Sequence, residues 1–117
     1  MAGPGRLTTH VLDTANGRPA AGLAVTLYRL EGEARVRLAE AVTNADGRCD
    51  APLLEGEAME AGEYVIAFDV GGYFQAAGQV SPFLSSVPVQ FLIAATDQHY
   101  HVPLLVSPFG YSTYRGS

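Results

Sequence analysis

The chain has 117 residues, of which 48% are hydrophobic and 16% are charged, so its composition is that of one folded globular domain and excludes a disordered protein. Its formal net charge is −5 and it has no basic cluster, which argues against a nucleic-acid partner. A single cysteine, Cys49, excludes an intrachain disulfide and a thiolate metal cage.

The N-terminal residues and the hydropathy pattern bear on location. The opening sequence “MAGPGRLTTH” lacks the apolar core of a signal peptide, and no stretch approaches the ~20 apolar residues that cross a bilayer. We therefore expect a protein that is not attached to a membrane and that is located in the cytoplasm. We also expect one domain over residues 1–117, with residues 1–6 flexible.

In the first half of the chain, short segments rich in β-branched residues alternate with turn signals. Asn-Gly in “TANGRPAAG” and Asp-Gly in “NADGR” supply the positive φ angles that tight turns require. The acidic, aperiodic stretch 52–63 is predicted to be a surface loop next to a short strand. The pattern predicts strands over residues 7–13, 23–30, 36–43 and 62–70.

The second half of the chain combines one short helix with further strands. The segment 71–79 contains helix-tolerant residues and stops at Gly78, which predicts one or two helical turns. Strands are predicted over residues 89–94, 99–106 and 110–115. Because proline cannot donate to the ladder, Pro103 must face an unpaired position or a bulge. Seven or eight strands and one short helix predict an all-β sandwich.

The alternation of side chains along the strands predicts which residues face solvent. In “HYHVPLLV” the apolar residues alternate with His99 and His101, so both histidines are expected to point away from the core. The same test places His10 outward, and on the last strand it favours Ser112 and Tyr114 as the exposed side. An outer sheet face is too flat to enclose a small molecule, so a site there needs a second subunit to cover it.

The histidines allow three interpretations at this point. A lone outward histidine on a strand is most often a solvated residue, and we prefer that interpretation for His99. His101 is a stronger functional candidate because His10 and Tyr114 are expected on its face. A zinc site built from the three histidines is a minority hypothesis: the H-x-H spacing puts two imidazoles ~7 Å apart, but no carboxylate accompanies them on that face.

Four segments of the chain carry a resemblance: “LTTHVLDTANGRPAAGLAVTLYRL”, “TNADGR”, “GEYVIAFDVGGYF” and “HYHVPLLVSPFGYSTYRGS”. They resemble the transthyretin-like 5-hydroxyisourate hydrolases of purine catabolism, and the likeness extends from Leu7 to Ser117. The closing sequence from Tyr114 to Ser117 separates these hydrolases from the hormone-carrying transthyretins, which share the fold but have lost that ending.

The resemblance implies a transthyretin-like β-sandwich of two four-stranded sheets with one short helix, assembled as a homotetramer, a dimer of dimers around a central channel. In that family the active sites lie in the channel at the subunit interface and need no metal or organic cofactor. For Arg115 the alternative to substrate contact is pairing with a neighbouring carboxylate that fixes the tail. The implied catalytic residues are His10, Arg48 and His101, and the substrate-binding candidates are Tyr114, Ser117 and Ser112.

The implied activity is hydrolytic ring opening of 5-hydroxyisourate to 2-oxo-4-hydroxy-4-carboxy-5-ureidoimidazoline. A neutral imidazole, with an unperturbed pKa of roughly 6.5, can take a proton from the attacking water, and we expect His10 or His101 to be that base. Arg48 can polarise the substrate carbonyl, stabilise negative charge and lower the pKa of a nearby histidine. Two alternatives stay open: a non-catalytic small-ligand carrier of the transthyretin type, and a zinc-dependent hydrolase.

Overall fold

The computed structural model describes residues 4–116, and the all-β sandwich expected from the sequence is confirmed. No helix within that range is long and apolar enough to cross a membrane. In chain order the elements are β1 (Arg6–Asp13), β2 (Arg18–Pro19), β3 (Ala24–Glu31), β4 (Ala34–Val42), β5 (Leu54–Glu55), a 3-10 turn (Gly56–Ala58), β6 (Gly62–Asp69), α1 (Val70–Ala76), β7 (Ser86–Ile93), β8 (His99–Ser107) and β9 (Gly110–Thr113).

The strands form two sheets that face each other across the core. One sheet is antiparallel and has the order β4-β3-β6-β7. The other has the order β2-β1-β8-β9, and because β5 also pairs with β1 it contains five strands where four were expected. Its central strands β1 and β8 run parallel, from the pair Arg6–His99 to the pair Asp13–Val106. Residues from near the two ends of the chain therefore lie side by side.

The period-two alternation of the strands builds the core between the sheets. Tyr64, Ile66 and Phe68 of β6 are fully buried, as are Leu7 of β1 and Leu104 of β8. Burial of such a side chain contributes roughly 1.5–3 kcal/mol. A shift of one residue would expose these side chains, so their burial fixes the register and turns the intervening residues of β1 and β8 outward.

Helix α1 confirms the single helix predicted from the sequence. Its residues Val70 and Phe74 are buried in the core. The Asp69 side chain caps the first turn by accepting a hydrogen bond from the backbone N–H of Gly72. Gly78 follows the helix at φ +79°, in the left-handed region that favours glycine. Local sequence signals therefore account for both ends of this helix.

The two turns expected to need positive φ angles have them. Gly17 lies at φ +66° and Gly47 at φ +76°. Gly47 is also tightly packed, because a Cβ atom there would lie 2.4 Å from the carbonyl oxygen of Val11. The backbone N–H of Val11 donates to the carbonyl oxygen of Gly47 at 2.8 Å, so the loop that holds Arg48 is fixed directly against β1.

The segment 52–63 differs from the surface loop that was predicted for it. It contains β5 and the 3-10 turn, and it buries Leu53, Leu54 and Met59. These apolar positions are irregularly spaced among acidic residues, so no strand or helix period revealed that they belong to the core.

Near the N-terminus, the described residues join the sheet through backbone pairing. Arg6 begins β1, and the backbone N–H of Gly5 donates to the carbonyl oxygen of Thr96 at 3.0 Å. The flexibility predicted for residues 1–6 stays a prediction. Residues 1–3 lie outside the described range.

Pro103 lies within β8, opposite an interruption in the ladder. β9 pairs with β8 as far as Thr113, and an isolated bridge then joins Gly116 to His101 in the same register. The ladder is interrupted between these pairs, where Pro103 has no N–H to donate. The hydroxyl of Thr113 donates to the carbonyl oxygen of Pro103 at 2.8 Å. Pro103 is therefore unpaired on the side of β9, as expected, while on its other side it is aligned with His10 of β1.

Candidate active site

The three histidines lie on the outer face of the sheet that contains β1 and β8. Parallel pairing aligns Thr8 with His101 and His10 with Pro103, and aligned residues project from the same face. His10 and His101 are half-buried and His99 is exposed, whereas the residues that alternate with them are buried. The outward orientation predicted for all three histidines is confirmed.

Thr8 joins the two histidines of β8. Its hydroxyl oxygen lies 2.7 Å from Nε2 of His99 and 2.8 Å from Nδ1 of His101. The two ring centroids are 6.1 Å apart, and the Thr8 hydroxyl group forms one hydrogen bond with each ring. His99 is therefore more than the solvated residue that was predicted, because it shares a hydrogen-bond partner with His101.

The loop between β4 and β5 brings Arg48 to His10. The side-chain oxygen of Asn44 accepts hydrogen bonds from the backbone N–H groups of Asp46 and Arg48, at 2.9 and 3.2 Å, which folds “NADGR” into a turn. An antiparallel bridge between His10 and Arg48 attaches this turn to β1. Nε2 of His10 donates to the carbonyl oxygen of Asp46 at 2.9 Å, so a neutral His10 has its lone pair on Nδ1.

The C-terminal segment returns to β8 beside His101. The backbone N–H of Gly116 donates to the carbonyl oxygen of His101 at 2.7 Å. The guanidinium of Arg115 lies 4.2 Å from the ring centroid of Tyr100 and donates to the side-chain oxygen of Gln98 at 3.0 Å. Arg115 thus contacts an aromatic ring and an amide, and among residues 4–116 it forms no ion pair with a carboxylate, which was the alternative considered for it. Ser117 lies outside the described residues.

These elements enclose a concavity of about 350 Å³ on one chain. Arg48 and His101 line it together, whereas His10 lies on the same face without lining it. The predicted substrate-binding residues Ser112 and Tyr114 do not line it, and Tyr114 instead lines a second groove next to β7. Its walls include the side chains of Arg6, Thr8, Arg48, Cys49, His99 and His101.

Arg6 and Thr8 were missed as site residues. A signal for them was present, since positions 6, 8 and 10 of β1 alternate with apolar residues and therefore share the face of His10. The pairing of β1 with β8 was the missing information. Only that pairing places Thr8 beside His101 and Arg6 beside His99.

Burial and positive charge favour the neutral form of the two histidines on β8. Burial lowers the pKa of His101, and the charges of Arg48, His99 and His10 lower it further. Burial, followed by the charge of Arg6, lowers the pKa of His99. With pKa values below the ordinary 6.5, both imidazoles are uncharged at neutral pH, as a proton acceptor must be.

Cys49 lies in the wall of the concavity but is not activated there. Burial, followed by the charge of Asp50, raises the pKa of its thiol. The sulfur therefore stays protonated at neutral pH, and a protonated thiol is a poor nucleophile. Cys49 is half-buried at this position.

The histidines do not converge on a common point. Nε2 of His99 and Nδ1 of His101 both face Thr8, whereas Nε2 of His10 faces the carbonyl oxygen of Asp46. Between residues 4 and 116, no group of three or more His, Cys, Asp or Glu side chains is arranged to hold a metal ion. This arrangement gives no support to the three-histidine zinc hypothesis.

Known proteins are similar to this chain in both sequence and fold. The 5-hydroxyisourate hydrolase of Mesorhizobium japonicum is 60% identical over 116 residues, which cover 97% of this chain and 93% of that protein. The structure of Klebsiella pneumoniae 5-hydroxyisourate hydrolase matches with a TM-score of 0.83 and 41% identity, over 97% of this chain and 99% of that chain. A crystal structure of (S)-allantoin synthase matches with a TM-score of 0.92 and 46% identity over 98% of this chain, which spans only 44% of that longer protein.

A sequence model of the HIUase/Transthyretin family matches residues 7–116. The match therefore includes β1, the Arg48 loop, β8 and the segment up to Gly116, which are the parts that build the concavity. On this match and the shared fold, the chain belongs to the HIUase/Transthyretin family.

Proposed function

We propose that the protein is a 5-hydroxyisourate hydrolase, which uses water to open the six-membered ring of its substrate. The observation that carries the proposal is that His101 and Arg48 line one concavity, so a proton acceptor lies beside a permanent cation. The name of the Mesorhizobium japonicum relative, at 60% identity, supports the same substrate for this chain. The product is 2-oxo-4-hydroxy-4-carboxy-5-ureidoimidazoline.

His101 is the proposed general base. Its lowered pKa keeps the imidazole neutral. Because Nδ1 is hydrogen-bonded to the Thr8 hydroxyl, Nε2 is the nitrogen that can accept a proton from water. The water oxygen adds to the ring carbonyl carbon, the adjacent C–N bond breaks, and the proton held by His101 passes to the leaving nitrogen. A base positioned in this way contributes ~10²–10⁴ in rate.

Arg48 is the proposed electrostatic catalyst. Its planar guanidinium carries only donors and stays charged, so it can bind the carbonyl oxygen as negative charge develops there. One such donor is worth about 10²–10³ in turnover. His10, bridged to Arg48 through the backbone, is proposed to orient water or substrate with the lone pair on its Nδ1.

Assembly as a homotetramer is proposed to complete the site. Ser112, Tyr114 and His10 lie outside the concavity of a single chain, and the site is open on the outer face of the sheet. The edge strands β7 and β9 expose Leu92 and Tyr111, at 67% and 46%, which supports pairing of these edges with a second copy. A cytoplasmic location, and a role for Ser117 in substrate binding, stay predictions from the sequence.

The chemistry of the concavity favours catalysis over transport of an apolar ligand. Two arginines and two histidines form part of its walls. A carrier of the transthyretin type needs apolar room, because a buried cation without a partner costs binding free energy. The walls instead suit a small, polar heterocycle that accepts hydrogen bonds.

The proposal is tested by a spectroscopic assay on freshly generated 5-hydroxyisourate, with and without the protein. We expect the protein to accelerate disappearance of the substrate well above its spontaneous hydrolysis. His101→Ala and Arg48→Ala should each lower turnover by roughly tens-fold or more. Both variants should elute at the wild-type position in size-exclusion chromatography. If the wild-type protein does not accelerate the reaction, the hydrolase activity is excluded and the non-catalytic ligand carrier is the remaining hypothesis.

A further inference from the structure

The hydroxyl of Thr8 lies between two imidazoles and has a single proton to donate. Its oxygen is 2.7 Å from Nε2 of His99 and 2.8 Å from Nδ1 of His101, and both are hydrogen-bond distances. A hydroxyl that donates to one imidazole must accept from the other. The position of the proton on one histidine therefore determines its position on the other.

Two arrangements satisfy both hydrogen bonds when the imidazoles are neutral. In the first, Thr8 donates to His99 and accepts from Nδ1–H of His101, so Nε2 of His101 keeps its lone pair. In the second, Thr8 donates to Nδ1 of His101, whose Nε2 then carries the proton and cannot accept another. Only the first arrangement makes His101 a base.

We propose that Thr8 is a positioning residue that, together with His99, holds His101 with its proton on Nδ1 and its Nε2 lone pair toward the concavity. The inference rests on the proposed function, because it names the groups that make His101 competent for that reaction. His99 takes part by accepting the Thr8 proton on Nε2. A protonated His99 would have to donate instead, which would reverse both hydrogen bonds and place the proton of a neutral His101 on Nε2.

The surroundings of the pair favour the first arrangement. Arg48 can only donate, so it favours an unprotonated nitrogen of His101 toward the concavity. The charge of Arg48 opposes protonation of His101, and the charge of Arg6 opposes protonation of His99. Among residues 4–116, Asp50 is the one acidic side chain in the wall, and it accepts from the side-chain amide of Asn44 at 3.0 Å. Within the same range, the titratable and charged groups that face the pair are Arg6 and His10 of β1, and Arg48, Cys49 and Asp50 of the loop before β5.

Nitrogen NMR of the imidazoles tests the inference directly, since the chain has three histidines whose signals are few enough to assign. At neutral pH we expect wild type and Thr8→Ser to show His101 protonated on Nδ1 and unprotonated on Nε2. Thr8→Val keeps the shape but has no hydroxyl, so both tautomers of His101 should be populated. A wild-type His101 protonated on Nε2, or the wild-type tautomer unchanged in Thr8→Val, would overturn the proposal.

Turnover gives a second readout. Thr8→Val should lower kcat by about 10–100-fold, as when a group that orients a functional imidazole is removed, and should change KM by less than about threefold. Thr8→Ser should recover most of the loss. The matched control is Thr14→Val, which removes a hydroxyl bonded to the carbonyl oxygen of Val106 just after β1 and should keep wild-type kcat. Equal losses in Thr8→Ser and Thr8→Val would contradict the proposal, and Thr8→Ala is the second hydroxyl-free variant if Thr8→Val does not assemble.

The two readouts separate this inference from the proposed function. If the wild-type protein does not accelerate ring opening, the proposed function fails, and the tautomer of His101 still tests the hydrogen-bond chain. If the wild type is active and Thr8→Val keeps both its kcat and its tautomer, the proposed function stands and the role of Thr8 is refuted.

Discussion

Gly116 is in contact with the imidazole of His101: a Cβ atom on this glycine would lie 2.6 Å from Cδ2 of the ring. Its backbone N–H also donates to the carbonyl oxygen of His101 at 2.7 Å. The C-terminal segment and the proposed base are therefore packed as one unit. A side chain at position 116 would have to displace either the ring or the tail.

This contact predicts that Gly116→Ala impairs catalysis more than folding. The added methyl group displaces His101 or the tail, and a small misplacement of a catalytic group can cost about 10²-fold in rate. Gly110→Ala is the matched control, because a Cβ atom there has no neighbour within 4 Å. Turnover and thermal unfolding of both variants check the prediction, which fails if Gly116→Ala has the activity of Gly110→Ala.

Arg48 is expected to set the pH dependence of the reaction. Its positive charge opposes protonation of His101, so Arg48→Gln should raise the pKa of that imidazole and move the acid limb of kcat/KM to higher pH. The wild-type limb should lie below the ordinary histidine value of 6.5. A pH–rate profile measures both, with Arg37→Gln on the exposed strand β4 as a charge-matched control. If the acid limb lies at the same pH in wild type, Arg48→Gln and Arg37→Gln, Arg48 does not lower the pKa of His101.

Asp13 should make stability depend on pH. Burial by itself would raise the pKa of this carboxyl, but hydrogen bonds from Asn16 and Tyr73 outweigh it, so the folded pKa lies below the ordinary 3.8. The resulting stabilisation is present above that value and is lost as pH falls through the folded pKa. Tyr73→Phe removes the hydroxyl that donates to Asp13 at 2.7 Å, so it should lower the free energy of unfolding by about 1.5–3 kcal/mol near neutral pH.

Urea unfolding at fixed protein concentration, at neutral pH and at steps below 3.8, checks this expectation. The difference between wild type and Tyr73→Phe should narrow as Asp13 becomes protonated. Tyr28→Phe on β3 is the control, because Tyr28 is only half-buried and lies on the other sheet. A difference that stays constant over the whole pH range would assign the effect of Tyr73 to packing alone.

Chelation distinguishes the proposed reaction from a zinc hydrolase. The proposed mechanism uses the neutral imidazole of His101 and the Arg48 cation, so exhaustive treatment with a chelator should leave turnover unchanged. Elemental analysis of the untreated protein should find zinc far below one equivalent per chain. Stoichiometric zinc, together with loss of activity on chelation and recovery on zinc addition, would favour the three-histidine site.

Local patterns in the sequence predicted most of the fold. Alternation identified the buried face of β8 and the outward direction of His101, and Gly47 and Gly78 marked a turn and a helix end through their positive φ angles. A short strand was predicted next to the loop 52–63, but its position within that segment, at β5, was missed because two residues cannot display a period. The rest of the site depends on tertiary pairing. Thr8 belongs to the site only because β1 lies parallel to β8, and the sequence of neither strand alone encodes that pairing.

The parallel pair of β1 and β8 also constrains when the site can exist. Thr8 and His101 are 93 residues apart in the chain, and Gly116 must follow before the imidazole is enclosed. A nascent chain therefore cannot form the concavity until the residues up to Gly116 have left the ribosome. Contacts of such long range are slow to close, and β-rich domains dominated by them fold in milliseconds to seconds. Until β8 is in place, the edge of β1 that pairs with it has no partner, so the site forms only when nearly the whole sandwich has assembled.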